Sequence, residues 1–280
     1  MPEFEIRTKI GQFLATRFIL MCNNPADDTP SNFNRAGALV LKADEVKELE
    51  WPYRTKPIVC WGTPTLQDLG ISWYGPKYND VKKRNKFKQI DLMLSAGVPV
   101  IPAAKSAMEA KNFGLSDKVI KRTLAHSEGR NVEIITENFS DEEDDEHYYR
   151  PLLNFKNEYR VHIVKDKVVA IAHKHKEVSN TVNETANIIR SYDNGWRFAM
   201  LDEDFLSRWR IKDKVISASK KAIAAVGYDF GAVDIGVVGL STDPNVKIYV
   251  IEVNSAPGLE AEHIELYAKE FEKPLIEQRR

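Results

Sequence analysis

Three residues late in the 280-residue chain have types and spacing that could hold a cation. They are Asp234 in "GAVDIGVVG" and Glu252 and Asn254 in "YVIEVNSAPGLE". Tyr249, Val250, Ile251 and Val253 read as a strand entering a core, yet Glu252 and Asn254 interrupt it just before a Pro-Gly turn. The two segments, joined through "LSTDPN", read as a hairpin. If its turn centres on Asp243 and its arms are symmetric, Asp234 lies directly opposite Glu252. Asn254 shares the face of Glu252, because side chains repeat every two residues along a strand. Like charges directly opposite on a sheet repel, and burying unpaired carboxylates is costly. A hard divalent cation removes the conflict. Two carboxylates and an amide suit Mg²⁺, which keeps waters and shares itself with substrate phosphates. A strand end emerging into solvent, or a carboxylate paired with a nearby arginine, would account for the same residues.

The rest of the chain must position this hairpin. Residues 1–85 mix short apolar runs with Pro- and Asn-rich connectors, and "PIVCWG" (Pro57 to Gly62) predicts a short buried strand. Phe87, Ile90 and Leu94 recur at helical spacing, Gly97 sits where a helix C-cap belongs, and Pro99 forbids continuation. "DKVIKRTL" and "VEIITENF" predict strands around the loop "AHSEGRN", followed by the acidic run "SDEEDDEH", expected as a solvated surface loop. "NEYRVHIVKDKVVAIAHKHK" predicts two strands about a tight "KDK" turn. Phe205, Trp209, Ile216, Ile223 and Val226 predict one helix with a buried stripe, ending at Gly227. Strands and helices intermix with many hairpins, so the fold class is α+β or α/β.

Bulk composition excludes several classes. Hydrophobic residues at 43% and charged residues at 29% are those of a globular protein with a substantial core. Forty basic residues against 41 acidic ones announce neither a nucleic-acid nor a membrane partner. The opening "MPEFEIRTKI" does not read as a signal peptide, and no apolar run reaches the roughly 18 residues of a bilayer span. Cys22 and Cys60 are too few for a disulfide framework or a Cys-rich zinc site, so a reduced cytoplasmic compartment is expected.

The ordered blocks bear a resemblance. "GAVDIGVV…VIEVNSAPGLE" is similar to the final hairpin of the ATP-grasp superfamily, particularly its RimK-like branch of ribosomal-protein glutamate ligases. Upstream, "RNKFKQIDLMLSAGVPVIP" resembles that family's Asn/Asp-Lys helix, and "KVIKRTLAHSEGRNVEII" its lid strand and loop. "EYRVHIVKDKVVAIAHKHK" resembles its acidic-x-Arg strand pair, and "NIIRSYDNGW" its Asn/Arg segment. The match covers Lys86 to the C-terminus. Lys86 alone would read as a surface lysine and Arg160 alone as an ion-pair partner; the order of five blocks singles them out.

The resemblance implies an ATP-grasp fold of two α+β subdomains gripping ATP (residues 86–280, with a mobile lid at about 117–153), preceded by a smaller N-terminal α/β domain (1–85). It implies Asp234, Glu252 and Asn254 as ligands of Mg²⁺, with two ions and Mn²⁺ as a substitute. Lys86 and Lys121 would contact ATP phosphates, Glu158 would lie near the ribose, and backbone groups around Leu152 would meet adenine. Arg160 would approach the γ-phosphate or acyl phosphate. Arg190, with Lys174 or Lys176, would stabilise the transferring phosphoryl group. The implied activity is an ADP-forming carboxylate–amine ligase working through an acyl phosphate. Its partners would be ATP, a carboxylate, and an amine acceptor such as an amino acid, peptide, protein end or modified nucleotide, with no membrane and with homo-oligomerisation left open. A phosphotransferase and a non-catalytic nucleotide-binding module are the alternatives. The chain departs from the family pattern in three places. The lid loop has the single glycine Gly129, the hinge "YYRPLL" carries Arg150 and Pro151 where the relative has Glu-Tyr, and the hairpin turn is longer. The first 85 residues carry no motif that names a family, and the resemblance implies that this portion helps to bind the carboxylate substrate.

Overall fold

The computed structural model describes residues 12–82, 84–124, 132–177, 189–240 and 242–273. Strands β1 (Phe18–Cys22), β2 (Ala38–Leu41), β3 (Ile58–Trp61) and β4 (Lys77–Tyr78) form a parallel sheet in the order β2-β1-β3-β4. Both faces of β1 are covered, as parallel sheets require. Phe18, Leu20 and Cys22 pack with Phe33 of α1 (Asp28–Arg35) and with Tyr267 and Phe271 of α7 (Ala261–Glu272). Ile19 and Met21 pack with Val46 of α2 (Ala43–Lys47) and with Leu66, Ile71 and Trp73. The expected buried strand at Pro57–Gly62 is β3.

A five-stranded antiparallel sheet, the main sheet, is built from β8 (Asn157–Val164), β9 (Lys167–Lys176), β10 (Trp196–Met200), β11 (Phe230–Val238) and β12 (Lys247–Asn254), in the order β10-β9-β8-β11-β12. Its apolar face carries Tyr159, Val161, Ile163, Val233, Ile235 and Val237. These pack beneath α3 (Lys86–Ser95) and α6 (Lys212–Val226). α3 begins at the N-cap Asn85, whose side chain accepts the Lys88 N–H at 2.8 Å, and ends where Gly97 turns left-handed at φ +68°. The single helix expected from Phe205 to Val226 is two. α5 (Glu203–Arg208) stops at Trp209, which turns extended, and α6 starts after Ile211. Trp209 leaves the helical path to pack its ring 4.4 Å from that of Tyr159, and Phe205 stays 39% exposed.

The third sheet, β6-β5-β7, consists of β5 (Val119–Thr123), β6 (Glu133–Ile135) and β7 (His147–Pro151), and covers α4 (Ala107–Asn112) through Val119, Ala107 and Ala110. The acidic run is exposed apart from Asp144 and His147, and Asp144 binds both His147 and Lys121. The loop "AHSEGRN" lies outside the described residues, as does Asn187. Among the described residues no helix is long and apolar enough to cross a membrane.

Candidate active site

Alternation along the main sheet separates an apolar face from one that packs Val164 and Phe230 against α7 and is polar over the rest. Glu158, Arg160 and His162 of β8 share the polar face with Lys174 of β9, Phe198 of β10, Asp234 of β11 and Glu252 and Asn254 of β12. Asp234 stands directly opposite Glu252 and beside Arg160. The pairing expected from the turn therefore holds at this position, and one step later it slips. Ile235 faces Val250, leaving Ile251 as a β-bulge.

The opposed carboxylates are neutralised by side chains. Arg160 holds Asp234 in a bidentate bond, Nε to Oδ1 at 2.7 Å and a second guanidinium nitrogen to Oδ2 at 2.8 Å. Lys86 Nζ lies 3.5 Å from Glu252 Oε2 and donates to Asn254 Oδ1 at 3.3 Å and to the Val253 carbonyl at 3.2 Å. Asn254 Nδ2 donates to Glu252 Oε1 at 2.9 Å. Burial alone would raise the Glu252 carboxyl, but Lys86, Arg122 and Arg160 hold it well below the ordinary range, so it is ionised. Lys86 reaches the strand because the Asn85 cap makes it the first residue of α3, at the end nearest β12.

A second knot adjoins the first. Lys174 Nζ donates to Glu158 Oε2 at 3.1 Å, and Arg190 lies 3.5 Å from Glu158 Oε1. The Phe198 ring bridges the two knots, 4.0 Å from the Arg160 guanidinium and 5.1 Å from Lys174 Nζ. Arg190 also stacks 4.7 Å from Trp196 and donates to the Phe155 carbonyl. The Phe155 ring lies flat on Gly236, where any Cβ would fall 2.4 Å from it. A side chain other than hydrogen at 236 would push Phe155 away. Among the described residues, Lys86, Arg122, Arg160, Lys174 and Arg190 thus gather around Glu158, Asp234 and Glu252, five cations to three carboxylates. That excess of positive charge matches a polyphosphate.

No protein-family model matches the sequence. No curated protein matches it either. Solved structures do match. The ligase PsnB, solved with a minimal precursor, Mg and ADP, aligns at a TM-score of 0.58 and 13% identity, over 91% of this chain and 96% of that one. D-alanine–D-alanine ligase from Bacillus anthracis aligns at 0.58 and 13%, over 92% and 96%. The D-cycloserine synthetase DcsG aligns at 0.56 and 11%, over 91% and 98%. PsnB is described as an ATP-grasp ligase. The chain has the ATP-grasp fold.

Within the ATP-grasp fold, the structure gathers most of the residues singled out from the sequence and separates a few. Lys121 is not among those gathered. It shares the face of β5 with Val119, turned toward α4, and its Nζ pairs with Asp144 Oδ2 at 3.0 Å. Its neighbour Arg122, on the opposite face, lies 4.0 Å from Glu252. Sequence reasoning missed Arg122, since register within "VIKRT" decides which basic residue looks inward. Lys176 pairs with Trp196 at the far end of β9, two residues beyond Lys174. The Leu152 N–H donates to the Lys118 carbonyl at 2.8 Å and so is already committed within the hinge.

Among the described residues, no three His, Cys, Asp or Glu side chains form a metal cluster. Asp234, Glu252 and the Asn254 amide are nonetheless hard oxygen donors on adjacent positions of one face. That set suits a Mg²⁺ ion that brings phosphate oxygens and water with it rather than a closed protein cage.

A cleft of about 700 Å³ opens beside Lys86 and Asn254. Its walls are the carboxyl ends of β1 and β3 (Cys22, Trp61), the start of α1 (Asp27, Asp28), Arg84 and the loop 255–258. β1 and β3 are neighbours at the point where the strand order reverses, the usual ligand crevice of an open parallel sheet. Thr29 Oγ1 accepts the Leu259 N–H at 3.0 Å and ties the two walls together.

Proposed function

We propose that the chain is an ATP-dependent carboxylate–amine ligase of the RimK-like kind, forming an amide through an acyl phosphate. A substrate carboxylate oxygen attacks the γ-phosphorus of ATP, the β–γ bridge breaks, and ADP leaves. An amine then attacks the acyl carbon, phosphate departs with the bonding pair, and the amine loses its proton. The observation that carries this reading is the meeting of five cations with three carboxylates on the polar face of an ATP-grasp sheet. Phosphoryl transfer spreads charge over oxygens, and positioned cations stabilise that charge.

In this reading Asp234, Glu252 and Asn254 hold Mg²⁺, which when bound neutralises phosphate oxygens and polarises the transferring group. Lys86 and Arg122 meet phosphate oxygens, Arg160 and Arg190 with Lys174 flank the transferring group, and Glu158 lies toward the ribose. Residues 86–280 grip the nucleotide, the segment 117–153 closes over it, and the 700 Å³ cleft takes the carboxylate against the N-terminal unit. Asp27 and Asp28 on one wall and Arg84 and Lys86 on the other suit a dipolar substrate such as a peptide or amino acid. Burial raises the Cys22 and Cys60 thiols to about 11 and about 12, so both stay as neutral thiols in a reduced cytoplasm.

The test is ADP release from Mg-ATP with a pool of amino acids, peptides and small carboxylates, with hydroxylamine as the surrogate amine. Wild type and Asp234→Asn are run together and hydroxamates are read by mass spectrometry. ADP and a hydroxamate from wild type alone are expected. ADP without hydroxamate would replace the ligase with a phosphotransferase. Tight ATP binding without ADP would replace it with a binding module.

A further inference from the structure

The bulge at Ile251 leaves that residue without a partner on β11. Its carbonyl is taken instead by a side chain from a different sheet: Arg150, near the end of β7, donates to the Ile251 carbonyl at 2.9 Å. A second guanidinium nitrogen of Arg150 donates to the Ile101 carbonyl at 3.2 Å. One side chain therefore joins three segments: the lid sheet, the connection after α3, and the strand bearing Glu252 and Asn254. The neighbouring backbone closes the same junction. Val250 N–H donates to Pro99 at 2.7 Å, and Tyr149 and Ala104 exchange bonds of 2.9 and 3.0 Å.

Arg150 is 1% exposed, and its Nε has no partner. Among the described residues no carboxylate is hydrogen-bonded to it, and burial pushes its pKa down to about 10. Burying a guanidinium without a bonded anion is costly, more than two carbonyl bonds require. A neutral donor would cap the same carbonyls more cheaply. Its electrostatic neighbours are the Tyr148 hydroxyl, Arg122 and Glu252, and of these Glu252 is the anion that responds to its charge.

We propose that Arg150 is a positioning residue for the magnesium–phosphate end of the nucleotide site. Its guanidinium, carried by the lid, locks the bulge at Ile251 and thereby sets how the next residue, Glu252, is presented. Lid position and carboxylate geometry are then one coupled variable, because β7 cannot shift against β12 without stretching the Arg150–Ile251 bond. This rests on the Mg-ATP reading above.

The test measures nucleotide binding to wild type, Arg150→Gln and Arg150→Lys by calorimetry, with ATP alone in EDTA and across a Mg²⁺ titration. Temperatures are kept well below each variant's unfolding midpoint. Arg150→Gln should need about tenfold more Mg²⁺ for half-maximal binding, while affinity for metal-free ATP changes less than twofold. Arg150→Lys, with the charge kept and one carbonyl capped, should fall between. Lower melting temperatures with an unmoved Mg²⁺ midpoint in both variants would overturn the proposal and leave Arg150 a packing residue. Hydrogen exchange on wild type checks the same coupling without any variant. Mg-ATP should raise protection in 119–123, 147–151 and 250–254 together, and protection confined to one of these segments would overturn it. A wild type that binds no Mg-ATP would instead remove the nucleotide reading itself.

Discussion

At the scale of single residues, the site depends on which side chains meet the opposed pair of carboxylates. Glu252→Ala leaves Lys86 and Arg122 without their anion and removes a ligand from the proposed magnesium set. It should weaken Mg-ATP binding by at least tenfold in a calorimetric titration while leaving the fold intact by circular dichroism. Arg122 and Lys121 make a sharper contrast. Arg122→Ala should reduce turnover by about tenfold to a hundredfold, the cost of losing one charge-assisted contact of about 1.5–3 kcal/mol. Lys121→Ala instead removes an ion pair with Asp144 and a contact with the Tyr149 ring, both on the face of β5 turned away from Glu252, so turnover should fall far less. Equal losses from the two substitutions would reverse the assignment. Asp234 and Glu252 were legible in the sequence because carboxylates in apolar strands conflict with their setting. Lys121 and Arg122 were not distinguishable, because adjacent strand residues point to opposite faces and the text of a sequence does not say which face is the cleft.

At the scale of elements, the strand alternation and the turn residues carried most of the reading. The hairpin of β11 and β12, the turn at Lys165–Asp166 and the helix Lys86–Ser95 with its stop at Gly97 all follow from local chemistry. Two features did not. The slip at Ile251 is invisible locally, because a bulge is set by what its freed carbonyl meets across the fold. The break at Trp209 is equally tertiary, since periodicity continues through it while Trp209 turns out of the helix to meet the Tyr159 ring. Two substitutions probe elements directly. Asn85→Ala removes the cap that orients α3 and should cost about 1 kcal/mol in urea unfolding, with a weaker hold on ATP because Lys86 loses its anchor. Gly236→Val forces Phe155 off the sheet and with it the carbonyl that Arg190 holds. It should impair turnover far more than Ile235→Val, the neighbouring change on the apolar face of β11.

At the scale of the whole molecule, buried histidines set a response to acid. His162 and His263 stack 4.7 Å apart, both almost fully buried, and burial lowers both below the ordinary 6.5. The unfolded chain takes up protons at these rings near pH 6.5 while the folded chain does not. Folding stability should therefore be flat above that value and fall as pH drops below it, by up to about 1.4 kcal/mol per pH unit for each ring. Urea midpoints measured from pH 8 to pH 5 should follow that slope, and His263→Leu should make it shallower while His162 and the half-buried His173, which burial also lowers, keep the rest. The packing of α7 has a further consequence, for the order of events during synthesis. Phe18, Phe33 and Trp61 reach their final neighbours only when Tyr267 and Phe271 arrive from about two hundred residues later. A growing chain on the ribosome therefore carries its first sheet half-clad, with an aromatic face open to chaperones, until α7 has been made.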